Sequence, residues 1–140
     1  MIQKIYYVKI KKIRINKIMA KKILIIEDEE LLYNLLKRKL ISEGYDAFVC
    51  EDGQKGMDFM KKEIPDLVLL DIVMPNKNGF QVMEEMQKDN RLKNVPIIII
   101  SNSGQPVEID KAKELGAKDW LVKTEFEPLE VIKKVKKQIG

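Results

Sequence analysis

From Lys21 onward, short apolar runs alternate with longer stretches in which apolar residues recur at helical spacing. ILII (23–26), DAFVC (46–50), DLVLL (66–70), IIII (97–100) and DWLV (119–122) read as strands. Leu32, Leu35, Leu36 and Leu40 predict a helix over 29–42, which Gly44 ends as a left-handed cap. Asp52 caps a second helix whose apolar face includes Met57, Phe59 and Met60. Pro65 interrupts the chain before the third strand, and MPNKNG (74–79) is turn chemistry. Val82, Met83 and Met86 predict a helix from Phe80 to about Lys88. Pro96 opens the fourth strand, and SNSGQP (101–106) is a loop. Residues 107–115 predict a short helix ended by Gly116. Pro128 starts a last helix with Leu129, Ile132, Val135 and Ile139 on one face. Lysines near its C-terminus suit the helix dipole.

A strand followed by a helix thus occurs five times, with short connections and no repeat or low-complexity segment. That alternation predicts an α/β fold, a parallel sheet covered by helices on both faces. Right-handed crossovers leave few topologies. In open sheets of this kind a ligand site lies beyond the carboxyl ends of the strands. The residues that follow each strand therefore carry the candidate chemistry.

Composition narrows that chemistry. The chain has 140 residues, 45% hydrophobic and 34% charged, which fits one domain with a real core. Cys50 is the only cysteine, so no intrachain disulfide forms. There is no histidine, which excludes a histidine-ligated metal, a histidine base and a phosphorylatable histidine. No apolar run approaches the length of a membrane helix. The expected location is cytoplasmic, with no membrane partner.

The net charge of +4 is unevenly spread. Residues 1–18 hold five lysines and one arginine with no acid, so the remainder is slightly acidic. A basic arm of this kind is able to touch nucleic acid or anionic lipid. It is not a secretory signal, because its longest apolar run is IYYV. Met19-Ala20-Lys21-Lys22 makes an ordinary chain start. The reading therefore divides the chain into a basic leader, 1–20, and a domain, 21–140. It places the true start at Met19 and gives the leader no function.

Glu27 and Asp28 follow the first strand, Asp71 the third, Ser101 the fourth and Lys123 the fifth. Three carboxylates, a hydroxyl and an ammonium are thus expected at one rim. Two like charges about 4 Å apart repel by roughly 4 kcal/mol at an effective dielectric of about 20, so such acids need a cation. All-oxygen ligation without Cys or His favours Mg²⁺, and the lysine and serine suit a phosphoryl group. Glu29 and Glu30 fall in the first turn of the helix, where acids favour the positive dipole end.

With those residues in place, the chain resembles the receiver domain of two-component response regulators over residues 21–139. ILIIEDEE, DLVLLDIVMPNKNGF, PIIIIS and GAKDWLVK carry the resemblance. It implies a flavodoxin-like (βα)5 three-layer sandwich with strand order 2-1-3-4-5. It implies that Asp71 accepts a phosphoryl group from a sensor histidine kinase or histidine phosphotransfer protein. Asp28 and Asp71 would bind Mg²⁺ directly, Glu27 through water, and the Val73 carbonyl would complete the protein ligands. Ser101 and Lys123 would contact the phosphoryl oxygens. Trp120 falls where the family's switch aromatic sits, and would rotate inward as Ser101 moves. The switching face would join the helix after the fourth strand, the fifth strand and the last helix. The protein would be no enzyme beyond its own phosphorylation and dephosphorylation. It reads as a stand-alone receiver without a DNA-binding domain, with a downstream protein target and room for a homodimer on activation.

Each residue also has a plainer reading. Asp28 would serve as an N-cap, Asp71 as a turn former, Ser101 and Lys123 as surface residues, and Trp120 as core packing. Joint placement overturns these for all but Trp120, for which both readings stand. Four departures from the family pattern stand out: Glu27 replaces the commoner Asp, and Val73 cannot orient an attacking water. Trp120 is bulkier than Tyr or Phe, and Thr124 replaces a Pro in a cis bond. A non-proline cis bond costs about 2.5–4 kcal/mol, so 123–124 is expected trans, with a rearranged loop at 123–127. Two other readings compete: a receiver-like interaction module that ignores phosphate, and an unrelated flavodoxin-like nucleotide binder. The second is disfavoured because no Gly-rich loop follows any strand.

Overall fold

The structure is a computed structural model that describes residues 2–140, leaving aside the side chains of 16–18. Its elements in order are α1 (Ile2–Met19), β1 (Lys22–Ile26), α2 (Glu30–Ser42), β2 (Asp46–Cys50), α3 (Gly53–Lys62) and β3 (Leu67–Asp71). Then come α4 (Gly79–Lys88), β4 (Ile97–Ser101), α5 (Pro106–Glu114), β5 (Ala117–Val122) and α6 (Pro128–Ile139). The five strands form one parallel sheet in the order β2-β1-β3-β4-β5. This is the flavodoxin-like order that the resemblance implied.

Strand periodicity explains the layers. Successive side chains point to opposite faces, so a strand buried on both sides must be apolar at every position. Ile23 and Ile25 face one core with Leu67, Leu69, Ile98 and Ile100, against α2 and α6. Leu24 and Ile26 face the other with Val68, Leu70 and Ile99, against α3, α4 and α5. Leu36 and Leu40 close the first core, and Val131, Ile132 and Val135 join them. Met57, Met60, Val82, Met83 and Met86 fill the second.

Helix ends follow local chemistry. Asp52 accepts a hydrogen bond from Lys55 N at 2.8 Å and caps α3 as expected. Asn78 and Gln81 form a reciprocal capping box at the start of α4. Gly44 and Gly116 take the positive φ values, 94° and 100°, that a left-handed cap requires.

Several element bounds differ from the sequence reading, and β5 begins two residues earlier, at Ala117. Residues 2–19 form a helix where only a leader was expected. β3 and β4 each run one residue further, because Asp71 still pairs with Ile100 and Ser101 with Val122. Asp71 and Ser101 therefore sit on the last rung of the sheet, while Glu27, Asp28 and Lys123 follow the ends of β1 and β5.

Close backbone packing fixes the turn after β3. A Cβ built on Gly79 would lie 2.4 Å from Asp71 O and 2.9 Å from Ile72 Cα. Both neighbours are backbone and cannot give way. Gly79→Ala is expected to cost about 1–3 kcal/mol and to displace Asp71, which chemical denaturation measures directly. An unchanged unfolding midpoint would contradict this packing.

Candidate functional site

The carboxyl edge of the sheet gathers the residues that the strand ends pointed to. β1 and β3 are adjacent, and the chain leaves them toward opposite sides, so a crevice opens there. Glu27 follows β1 and is anchored by its backbone N–H, which donates to Cys50 O at 3.0 Å. Its side chain is 1% exposed. Glu27 Oε2 accepts from Glu29 N at 3.1 Å. Glu27 Oε1 lies 2.6 Å from Lys123 Nζ. That ammonium is the partner of the oxygen inside the buried pocket.

Asp71 ends β3 and is 4% exposed. Its Oδ2 accepts from Lys123 Nζ at 3.1 Å, and its Oδ1 from Val73 N at 3.4 Å. The Lys123 side chain is 8% exposed and also approaches Glu29 Oε2 at 3.5 Å. Asp28 is exposed at the mouth. Glu27, Asp28 and Asp71 each present a carboxylate oxygen within 4.8 Å of the others. Ser101 is buried one rung past Ile100, the partner of Asp71. Its Oγ accepts from Ser103 N at 3.3 Å, and its carbonyl accepts from Lys123 N at 2.7 Å. The described peptide bonds are all trans, Lys123–Thr124 included, and Lys123 still reaches both buried acids.

Trp120 packs against the core on the α3–α4–α5 side. Its indole N–H donates to Ser103 O at 2.9 Å, which ties the ring to the loop after β4. Val73, two residues past Asp71, leaves its side chain exposed.

Sequence reasoning missed the brace of this rim. Asp52 Oδ2 accepts from Asn76 Nδ2 at 3.0 Å, which pins the β3–α4 turn to the start of α3. Asn76 holds a left-handed φ of 65°, a conformation asparagine tolerates. A Cβ on Gly53 would lie 2.2 Å from Lys77 O, so α3 and this turn touch backbone to backbone.

Electrostatics follow from burial. Burial raises the Glu27 carboxyl to about 7, with the Asp71 charge adding to the rise and Lys123 opposing it. Burial also raises Asp71, again against the pull of Lys123. Burial works to lower Lys123, but its contacts with Glu27 and Asp71 outweigh this and raise it. One ammonium cannot neutralise three acids. The residual negative charge and the all-oxygen donor set fit a hard divalent cation.

The sign of the pH dependence is fixed by these shifts. A folded-state carboxyl raised above its unfolded value holds its proton more tightly when folded. Stability is then full below the unfolded value and is lost as pH rises through the folded one. For Glu27 that window runs from about 4.5 to about 7. Above it, ionised Glu27 costs roughly 3 kcal/mol. In chelator the melting temperature is expected to fall between about pH 5 and about pH 8. A divalent cation should restore more at the higher pH, where its ligands are ionised. A rise of melting temperature with pH in chelator would refute this reading.

Residues 23–136 match the family model described as the response regulator receiver domain. The chain belongs to this family. The receiver is similar in fold to the chemotaxis protein CheY4 of Vibrio cholerae, with 24% identity and a TM-score of 0.81 over 86% of this chain and 100% of that one. It is similar to the signal receiver domain of a signal transduction histidine kinase from Syntrophus aciditrophicus, at 26% identity, TM-score 0.78, and 86% and 90% coverage. It also matches the receiver domain of a sensor histidine kinase from Pseudomonas aeruginosa, at 23% identity, TM-score 0.79, and 86% and 98% coverage. That last structure holds a magnesium ion in its active-site cleft. Among the described residues of this receiver, no helix is long and apolar enough to cross a membrane.

Proposed function

We propose that this receiver takes a phosphoryl group onto Asp71 and signals by rearranging the face formed by α5, β5 and α6. The observation that carries the reading is the contact of Lys123 Nζ with Asp71 Oδ2 at 3.1 Å, inside a cluster of three carboxylates. The donor would be a phosphohistidine on a sensor kinase or phosphotransfer protein, because this chain has no histidine of its own. An Asp71 carboxylate oxygen attacks phosphorus as the N–P bond breaks. The electron pair of that bond stays on the imidazole nitrogen, and the product is an acyl phosphate.

Asp28 and Asp71 would hold Mg²⁺ directly, Glu27 through water, with the Val73 carbonyl as a further ligand. When bound, Mg²⁺ would neutralise charge on the carboxylates and on the equatorial phosphoryl oxygens. Lys123 holds Asp71 in place and offers its ammonium to a phosphoryl oxygen. The Ser101 hydroxyl accepts from Ser103 N, which leaves its own proton free to donate to the phosphoryl group. Positioning and charge neutralisation do the chemistry, and the protein acts on no substrate beyond itself. Val73 offers no polar atom from its side chain to orient a hydrolytic water, which favours a long-lived phosphoryl group.

The switch would run through Ser101. Its movement toward the phosphoryl group shifts the loop that carries Ser103 O, and with it the hydrogen-bonded indole of Trp120. Phosphate must favour one arrangement over the other for this to signal. Trp120 is the only tryptophan, so beryllofluoride with Mg²⁺ is expected to change its fluorescence. A flat signal would remove Trp120 from the switch.

Acetyl phosphate with Mg²⁺ tests the function. Wild-type protein should gain the mass of one phosphoryl group, and chelator should prevent the gain. No gain under any condition would favour the reading of a module that binds its partner regardless of phosphate.

A further inference from the structure

Residues 1–18 have no role in the reading above, yet α1 presents two features that call for a partner. Ile5, Tyr6, Tyr7, Val8, Ile13 and Ile15 are all exposed. Lys4, Lys9, Lys11, Lys12 and Arg14 form no ion pair among the described residues. An isolated helix of 18 residues is marginal in water, and burying its apolar side chains would stabilise it.

Charge identifies the partner. Six bases without an acid would repel a second copy of the same helix, so the partner is anionic. Nucleic acid offers phosphates, but isoleucine and valine side chains cannot stack on bases and find no hydrocarbon there. A lipid surface offers anionic headgroups above hydrocarbon. Lys4, Lys9 and Lys12 line one shallow apolar surface with Ile5 and Val8. Apolar and basic positions interleave around the helix, and lysine stems accommodate this by lying along hydrocarbon while the ammonium rises to the headgroups. Tyr6 and Tyr7 have the amphipathic rings that favour the interface. The helix is not apolar enough to cross a membrane, so it would lie on the surface, held by charge and by apolar side chains that share no single face.

We propose that α1 docks this receiver onto an anionic membrane surface. The topology suits that arrangement. α1 enters the sheet at the amino end of β1, while Asp71, Ser101 and Lys123 lie at the carboxyl edge. Docking through α1 leaves the phosphorylation site open to a partner protein. The proposal does not rest on phosphoryl transfer.

Vesicle flotation of the full chain tests it. Vesicles of phosphatidylcholine with phosphatidylglycerol should retain the protein about tenfold better than phosphatidylcholine alone, and added salt should weaken retention. An Ile5→Ser, Val8→Ser variant and a Lys9→Gln, Lys11→Gln, Lys12→Gln variant should both lose retention. Both should keep the circular dichroism spectrum and unfolding midpoint of wild type, which shows that they are folded. No retention on anionic vesicles would overturn the proposal. So would equal retention on neutral vesicles, undiminished retention of the serine variant, or capture by duplex DNA with vesicles ignored.

Discussion

Asp71→Asn is expected to abolish phosphoryl uptake and, at the same time, to stabilise the protein in chelator. The first effect follows from losing the nucleophile, because an amide oxygen is far less nucleophilic than a carboxylate. The second follows from burial. Asp71 is 4% exposed beside Glu27, and burial makes its charged form costly. The amide removes that charge and keeps an acceptor for Val73 N. Lys123 is not orphaned, since it stays 2.6 Å from Glu27 Oε1. A gain of about 1–2 kcal/mol near neutral pH is expected from chemical denaturation, and the stabilisation by Mg²⁺ should shrink. Phosphoryl uptake by the Asn variant would rule out Asp71 as acceptor. A loss of stability would show that the Lys123 contact outweighs the repulsion.

Lys123→Met should act in the opposite direction. Methionine keeps most of the aliphatic stem but removes the only ammonium that touches Glu27 and Asp71 among the described residues. Breaking a buried pair from one side typically costs about 3–5 kcal/mol, because the remaining charges stay buried. The cost should be largest at about pH 8 in chelator and should fade toward acid pH as both carboxyls protonate. Phosphoryl uptake should slow by about a hundredfold or more, the usual loss for one preorganised group at a developing charge. Equal stability of variant and wild type at high pH would mean that Lys123 does not offset these acids.

The sequence made the sheet and the rim legible for one reason. Strands buried on both faces must be short and apolar throughout, and parallel strands place all their carboxyl ends at one edge. Glu27, Asp28, Asp71, Ser101 and Lys123 were therefore readable as neighbours although they span most of the chain. Contacts that depend on a particular side chain reaching another were less accessible. Asp52 was legible as a cap, but the bond of its second oxygen to Asn76 spans 24 residues and leaves no periodic signal. Glu29 reads as a helix-start acid, and its approach to Lys123 depends on the fold of β5. The capping box of Asn78 and Gln81 was present as a spacing but lay inside a run that reads first as a turn. α1 was hidden because its apolar and basic residues interleave without a clear period or cap. Gly79 carries no mark of the backbone pressed against it.

The most direct measurement is to locate the phosphoryl group by chemistry. Protein treated with acetyl phosphate and Mg²⁺ is reduced with borohydride, which converts an aspartyl phosphate to homoserine, and is then sequenced by peptide mass spectrometry. Homoserine at position 71 alone is the expected result. Homoserine at position 28, or phosphoryl uptake that leaves position 71 as aspartate, would contradict the account.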